Sequence, residues 1–115
     1  MSWLSGFANA FAGVVHAVRS ERNLQIQLVV LVLVLTFGFY FRLAEWEWAA
    51  VILSSGLVIS MELVNSSVEE LCDFVSPALD GRIRNIKDMA AGAVLIASIA
   101  AFSVGLIIFA KYFFE

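Results

Sequence analysis

The chain has 115 residues, a formal net charge of -3 and seven Lys and Arg residues that form no basic stripe. With 62% hydrophobic and 15% charged residues, it carries far more apolar surface than one small soluble core can bury. These values exclude a nucleic-acid-binding protein and predict an integral membrane protein with a single domain, residues 1–115.

The first predicted element is an amphipathic helix over about residues 5–20. In the segment SGFANAFAGVVHAVRSER, apolar residues recur at helical spacing and polar residues fall mostly on the other face. We expect this helix to lie on the membrane surface, although a short helix buried in a soluble bundle has the same periodicity. The first eighteen residues contain no Lys or Arg, so we expect no secretory signal peptide and an unprocessed chain.

Three apolar stretches follow that are long enough to cross a bilayer, since a span needs about 20 mostly apolar residues. They cover about residues 24–43, 48–64 and 89–110, and the last one contains no charged residue. Spanning segments of this length must be helical, because unpaired backbone groups are too costly in hydrocarbon. The sequence therefore predicts an all-α membrane protein with an amphipathic surface helix and three transmembrane helices.

The distribution of cations predicts the orientation of the chain in the membrane. Five of the seven lie on one side and two on the other: Arg19, Arg22, Arg82, Arg84 and Lys87, against Arg42 and Lys111. By the positive-inside rule, the amino terminus and the loop 65–88 are expected in the cytoplasm. Trp46 and Trp48 are then expected at the outer interface.

The segment SMELVNSSVEELCDF, residues 60–74, places acids at the inner end of the second span. In a continuous helix, Glu62, Asn65, Glu69 and Asp73 share one face, and Glu62 lies about 21 Å into a hydrocarbon layer of about 30 Å. A carboxylate at membrane depth costs on the order of 3 kcal/mol, so Glu62 is a candidate functional residue. The acids that follow it, taken singly, are more typical of the solvated end of a helix.

This pattern favours the transfer of phosphate from a nucleotide to a membrane-embedded alcohol. A lipid alcohol holds its hydroxyl at the membrane boundary, where Glu62 can act as a general base. Glu69, about 10 Å further along the helix, can hold a magnesium ion, which takes one or two carboxylates together with phosphate oxygens. Lys87 and Asp88 lie in the same cytoplasmic loop. None of the GxxxxGK[ST], GxGxxG or kinase catalytic-loop motifs of soluble nucleotide-binding folds is present.

Two motifs resemble the small prokaryotic integral-membrane lipid kinases, the family of diacylglycerol kinase and undecaprenol kinase. MELVNSSVEELCD, residues 61–73, is similar to the family signature E-x-x-N-[ST]-[AS]-[IV]-E. KDMAAGAVLI, residues 87–96, is similar to the block K-D-x-x-[AS]-[AG]-A-V-L, and ERN at residues 21–23 lies at the family's usual distance upstream. The resemblance covers nearly the whole chain. It implies a homotrimer with active sites between protomers, in the bacterial inner (cytoplasmic) membrane with the N-terminus in the cytoplasm.

The resemblance also implies an activity and a set of site residues. The expected reaction transfers the γ-phosphate of MgATP to a lipid alcohol, diacylglycerol or undecaprenol, at the cytoplasmic interface. Six residues match the family's functional positions: Glu62 as catalytic base, Asn65 as the asparagine that helps to order the site, Glu21 and Glu69 as metal-binding carboxylates, and Lys87 and Asp88 as the pair that meets the nucleotide. ATP, a lipid alcohol and membrane lipids are the expected partners, with Mg²⁺ as the cofactor.

The chain departs from the family pattern at two places. Where relatives often carry Glu-Tyr-His in the nucleotide-contacting loop, this chain has Ala78, Leu79 and Asp80, so the resemblance implies no base contacts there. Gln25 and Gln27 replace side chains that are often charged or His in relatives, and we expect only a peripheral role for them. The ERN segment resembles the undecaprenol kinase branch more closely, but the sequence leaves both lipids open.

Two other classes of function were compared with this interpretation. A small proton-coupled multidrug transporter has a similar length and one membrane-embedded glutamate. Such a transporter needs four spans and a glutamate nearer the first helix, and neither fits. A non-enzymatic assembly subunit would leave Glu21, Glu62, Glu69 and Lys87 without a role.

Overall fold

The structure is a computed structural model that describes residues 2–76, 78 and 80–114. Over these residues it has four α-helices: α1 (Trp3–Ser20), α2 (Arg22–Phe41), α3 (Glu45–Val75) and α4 (Gly81–Phe114). Helices α2, α3 and α4 are each long and apolar enough to cross a membrane. The predicted all-α membrane class, with an N-terminal helix followed by three spans, is therefore confirmed.

The helices do not end where the apolar stretches end. Helix α3 continues to Val75 and α4 begins at Gly81, whereas the predicted spans end at residue 64 and begin again at residue 89. The continuous helix expected from Glu62 to Asp73 is confirmed, but the expectation of a loop over residues 65–88 is wrong, since residues 65–75 and 81–88 are helical. The reason is that hydrophobicity marks the contact with hydrocarbon, whereas helical hydrogen bonds also form in water.

Most large apolar side chains in the described chain are exposed, including Trp3, Leu4, Phe7 and Phe11 of α1. An apolar surface of this extent is too large for a soluble monomer. In hydrocarbon, exposed apolar side chains carry none of the free-energy penalty that they have in water. The exposed surfaces of the helices therefore fit a membrane environment.

A sharp corner separates α1 from α2 at Glu21. The backbone of Glu21 is extended, and its N–H donates to the carbonyl of Ala17 at 2.8 Å to end α1. The side chain of Gln25 then turns back, and its Nε2 donates to the carbonyl of Val18 at 2.8 Å and more weakly to that of Arg19 at 3.4 Å. Since the last carbonyls of a helix lack intrahelical partners, Gln25 stabilises the end of α1 and fixes the corner.

Helices α2 and α3 approach closely near the connection between them, where Gly38 faces the ring of Trp48. A Cβ atom at position 38 would lie 2.6 Å from Cη2 of Trp48, which is too close for any side chain. Trp46 is exposed whereas Trp48 is half-buried against α2. Trp48 therefore packs α2 and α3 together, whereas the expected position of Trp46 at the outer interface stays a prediction.

Helices α3 and α4 form the most extensive helix pair. A buried carboxylate joins the start of α3 to the end of α4. Glu47 is only 1% exposed, and its Oε2 lies 2.7 Å from Nζ of Lys111. Its Oε1 accepts hydrogen bonds from the hydroxyl of Tyr112 at 2.7 Å and from the backbone N–H of Ala44 at 2.9 Å. The ammonium of Lys111 also lies over the ring of Trp46, 5.4 Å from its centroid. This network fixes the register of α4 against α3.

We expect Glu47→Gln to destabilise the fold by about 1.5–3 kcal/mol, the usual contribution of hydrogen bonds to a charged group. The amide keeps the shape of the side chain but removes the charge that pairs with Lys111. Unfolding in detergent micelles, followed by circular dichroism, measures the change. Glu45→Gln is the matched control, because Glu45 is an exposed acid on the same helical turn and should change stability by less than about 0.5 kcal/mol. Equal effects of the two substitutions would contradict the role given to Glu47.

Candidate active site

The carboxyl-terminal half of α3 carries buried polar side chains. Glu62 is 3% exposed, and Asn65 and Ser66 are each 7% exposed. Glu69 follows on the same face and is half-buried. Since each of these residues is three or four positions from another of them, they share one side of the helix, and the polar face is continuous from Glu62 to Glu69.

Two other carboxylates lie within electrostatic reach of Glu62. The side chain of Gln27 on α2 lies within hydrogen-bonding range of the Glu62 carboxyl group. Glu69 and Glu21 are both close enough to interact electrostatically with the same carboxyl group. The corner between α1 and α2 thus contributes one acid and α3 contributes two, all from a single chain.

Glu21 also borders a groove between α1 and α3. The groove has a volume of about 310 Å³ and includes Ser20, Ser66 and Ser67 in its lining. At its rim, Nε2 of His16 lies 3.8 Å from Oε1 of Glu70, and both side chains are largely exposed. The serine hydroxyls and the carboxylate add polar groups to a lining that is otherwise largely apolar.

Lys87 approaches the acids from α4. Its Nζ lies 2.6 Å from Oδ1 of Asp73, and it also interacts electrostatically with Glu69. Asp88 follows Lys87 on α4 and is exposed. The carboxyl-terminal part of α3 and the amino-terminal part of α4 therefore bring a cation beside the acidic face.

Two buried amide oxygens have no hydrogen-bond partner within the described residues: Oδ1 of Asn65 and Oε1 of Gln27. Asn65 lies one helical turn from Glu62, and Gln27 is next to Glu62. An unpaired buried acceptor costs about 1–3 kcal/mol. Both oxygens are therefore available to a donor from a bound molecule.

The donor set fits a divalent cation with few protein ligands. Within residues 2–76, 78 and 80–114, no three His, Cys, Asp or Glu side chains are arranged to hold a metal ion by themselves. Magnesium, however, is usually bound by one or two carboxylates, with water and phosphate oxygens as the other ligands. Glu21 and Glu69 each lie within electrostatic reach of Glu62, and two such carboxylates match that chemistry.

A second groove, of about 370 Å³, runs between α2, α3 and α4 within the apolar part of the bundle. Aliphatic and aromatic side chains such as Leu31, Val58 and Phe102 dominate its lining. Gln27 belongs to the same lining and also reaches Glu62. The apolar groove therefore begins beside the buried carboxylate.

The structure adds residues that sequence reasoning did not assign. Gln27 is expected to be peripheral, yet it contacts Glu62, and Gln25 caps α1 beside Glu21. In the loop that departs from the family pattern, Oδ1 of Asp80 accepts from the N–H of Arg82 at 2.8 Å at the start of α4, and Leu79 lies outside the described residues. No local sequence signal identifies the contacts of Gln25 and Gln27, because each depends on which helices become neighbours, whereas an Asp before a helix, as at position 80, is a typical helix-start signal.

Comparison with known proteins gives one family. Residues 8–109 match the sequence model described as prokaryotic diacylglycerol kinase. The chain is 32% identical over 107 residues to an undecaprenol kinase of Bacillus subtilis strain 168, a match that covers 93% of this chain and 87% of that protein. It is 38% identical over 103 residues to a diacylglycerol kinase of Synechocystis, covering 89% of this chain and 59% of that protein. A diacylglycerol kinase of Helicobacter pylori strain 26695 is 40% identical over 53 residues, covering 46% of this chain and 41% of that protein.

Proposed function

Because the chain belongs to the prokaryotic diacylglycerol kinase family, and is therefore an ATP-dependent lipid kinase, we propose that Glu62 is its general base. The observation that carries this proposal is the burial of Glu62 at membrane depth beside two further carboxylates. A buried acid in this position is costly unless it has a function.

In the proposed reaction, the hydroxyl of a lipid alcohol lies against Glu62 at the inner membrane boundary. As the lipid oxygen bonds to the γ-phosphorus of ATP, its proton passes to the Glu62 carboxylate, and the bond between the γ-phosphorus and the bridging oxygen of ADP breaks. The products are a lipid phosphate and ADP. Asn65, one turn further along α3, helps to order the site, and its unpaired Oδ1 is free to accept a hydrogen bond there.

Glu21 and Glu69 are the residues proposed to hold Mg²⁺. The ion would neutralise part of the negative charge on the phosphates when ATP is bound. The two carboxylates come from different elements, so the corner at Glu21 has to be held in place for both to face one ion. The hydrogen bonds from Gln25 to α1 serve that purpose.

Lys87 and Asp88 are proposed to meet the nucleotide, with the Lys87 ammonium on phosphate. The close approach of Lys87 to the acidic face supports this assignment. A lysine is a compact charge on a flexible stem and is often used to bind phosphate.

For the lipid, we propose that the hydrocarbon chain lies along the groove between α2, α3 and α4. This groove is apolar and begins at Gln27, next to Glu62, so a chain within it would leave its hydroxyl at the base. Of the two lipids, undecaprenol is favoured, because the match to the undecaprenol kinase covers 93% of this chain and 87% of that protein, and the ERN segment resembles that branch.

The expected setting is the bacterial inner membrane, with the N-terminus and the connection between α3 and α4 in the cytoplasm. The excess of Lys and Arg on that side supports this orientation. A homotrimer is the expected assembly. The small residues of α4 and the exposed apolar surfaces of the bundle support close contact between copies.

A phosphoryl-transfer assay in mixed micelles tests the function. With labelled ATP and Mg²⁺, we expect phosphorylation of undecaprenol at a higher kcat/KM than of diacylglycerol. Glu62→Gln should lower the rate by about 10²–10⁴-fold, the usual contribution of a general base. Near-normal transfer by a folded Glu62→Gln protein would reject the assignment of the base. Preference for diacylglycerol would reject the choice of lipid without affecting the base.

The magnesium dependence of the rate tests the metal ligands. Glu69→Gln and Glu21→Gln should each raise the Mg²⁺ concentration for half-maximal rate by at least about tenfold, because each removes one of few protein ligands. Glu70→Gln is the matched control, since Glu70 is an exposed acid next to Glu69 and should leave this concentration unchanged. If all three variants behaved alike, the two carboxylates would be ordinary surface charges.

Mixed assemblies test whether one chain supplies the acids. Glu62 and Glu21 come together within a single chain, so Glu62→Gln and Glu21→Gln proteins should stay at background activity when they are unfolded and co-reconstituted at any ratio. Mixtures of each variant with the unmodified protein calibrate the assay. Cross-linking of the same samples, which should give trimers, verifies co-assembly. Recovered activity in the double mixture would show that these two residues act across an interface.

A further inference from the structure

Asp73 and Lys87 join the cytoplasmic ends of α3 and α4. Oδ1 of Asp73 lies 2.6 Å from Nζ of Lys87, a short distance for a charged pair. The side chain of Lys87 is 29% exposed whereas that of Asp73 is 66% exposed. The lysine is therefore held against the helices, and the aspartate fixes it from the solvent side.

Lys87 has a second carboxylate within electrostatic reach, that of Glu69. Glu69 precedes Asp73 by one helical turn on the same face of α3. Because a lysine ammonium is a point charge on a flexible stem, it can pair with either carboxylate. A lysine paired with Glu69 would occupy an oxygen that a divalent cation needs.

We propose that Asp73 is a positioning residue that holds the Lys87 ammonium away from Glu69. It thereby leaves the Glu69 carboxylate free for the cation and keeps the ammonium fixed for phosphate. This inference rests on the proposed function, in which Lys87 meets the nucleotide and Glu69 the metal. Asp73 itself touches neither the substrate nor the reacting atoms.

The test is steady-state kinetics of Asp73→Asn, which keeps the shape of the side chain and removes its charge. We expect KM for MgATP, and the Mg²⁺ concentration for half-maximal rate, to rise about three- to tenfold, between the effects of an exposed and a buried charged pair. The rate at saturating MgATP and Mg²⁺, and KM for the lipid, should change by less than about twofold. Asp73→Glu, which restores the carboxylate, should recover most of the lost affinity.

Glu70→Gln serves as the control on the same helix, because Glu70 is exposed and pairs with His16 rather than with Lys87. A purely structural role for Asp73 would reduce the amount of folded enzyme. It would therefore lower the apparent maximal rate and leave KM and the magnesium dependence unchanged, an outcome that would overturn the inference.

Lys87→Met separates this inference from the function on which it rests. In the Lys87→Met background, Asp73→Asn should add less than about a twofold change in KM, since no ammonium remains to be positioned. A defect in Lys87→Met with normal kinetics in Asp73→Asn would overturn the role of Asp73 alone. Normal kinetics in Lys87→Met would overturn the assignment of Lys87 and, with it, the role of Asp73.

Discussion

Two lysine–carboxylate pairs fix the α3–α4 hairpin, and the geometry of the site depends on that hairpin. One pair, Glu47 with Lys111, joins the start of α3 to the end of α4, and the other, Asp73 with Lys87, joins the end of α3 to the first turns of α4. Between them the helices meet through apolar and small side chains, and hydrocarbon provides no hydrophobic force to select one register. The polar contacts at the two ends therefore determine which turn of α4 faces Glu69.

The corner at Glu21 is the second constraint, because it sets where α1 meets the bundle. Helix α1 exposes large apolar residues to the membrane, while Ala17 is buried at its carboxyl-terminal end, where Glu21 and Gln25 bond back to it. A helix lying at the interface and a helix crossing the membrane must meet at an angle, and a side-chain cap allows this without unpaired carbonyls. The acid at this corner is thereby held at the level where α3 presents Glu62.

Much of this arrangement can be predicted from local sequence features. Hydrophobicity and the helical period predict four helices and three spans, and the spacing of Glu62, Asn65 and Glu69 predicts a common face. The contacts of Gln25 and Gln27 could not be predicted, because a glutamine in an apolar helix carries no signal for its partner on another element. The continuation of α3 to Asp73 was predicted, but the start of α4 at Gly81 was missed, since the composition of residues 81–88 is polar whether the segment is a loop or part of a helix.

The continuity of α3 across the membrane boundary has a consequence for the chemistry. Glu62 and Glu69 are seven residues apart, which is about 10 Å along a rigid helix. A loop between them would let this distance vary, and a proton acceptor and a metal ligand would then rarely be aligned with one phosphate. In the proposed roles, a single helix would hold Glu62 at the depth of a lipid hydroxyl and Glu69 near the nucleotide. A small chain without a phosphate-binding loop would then align both substrates, because the membrane would set the position of one and the helix the distance to the other.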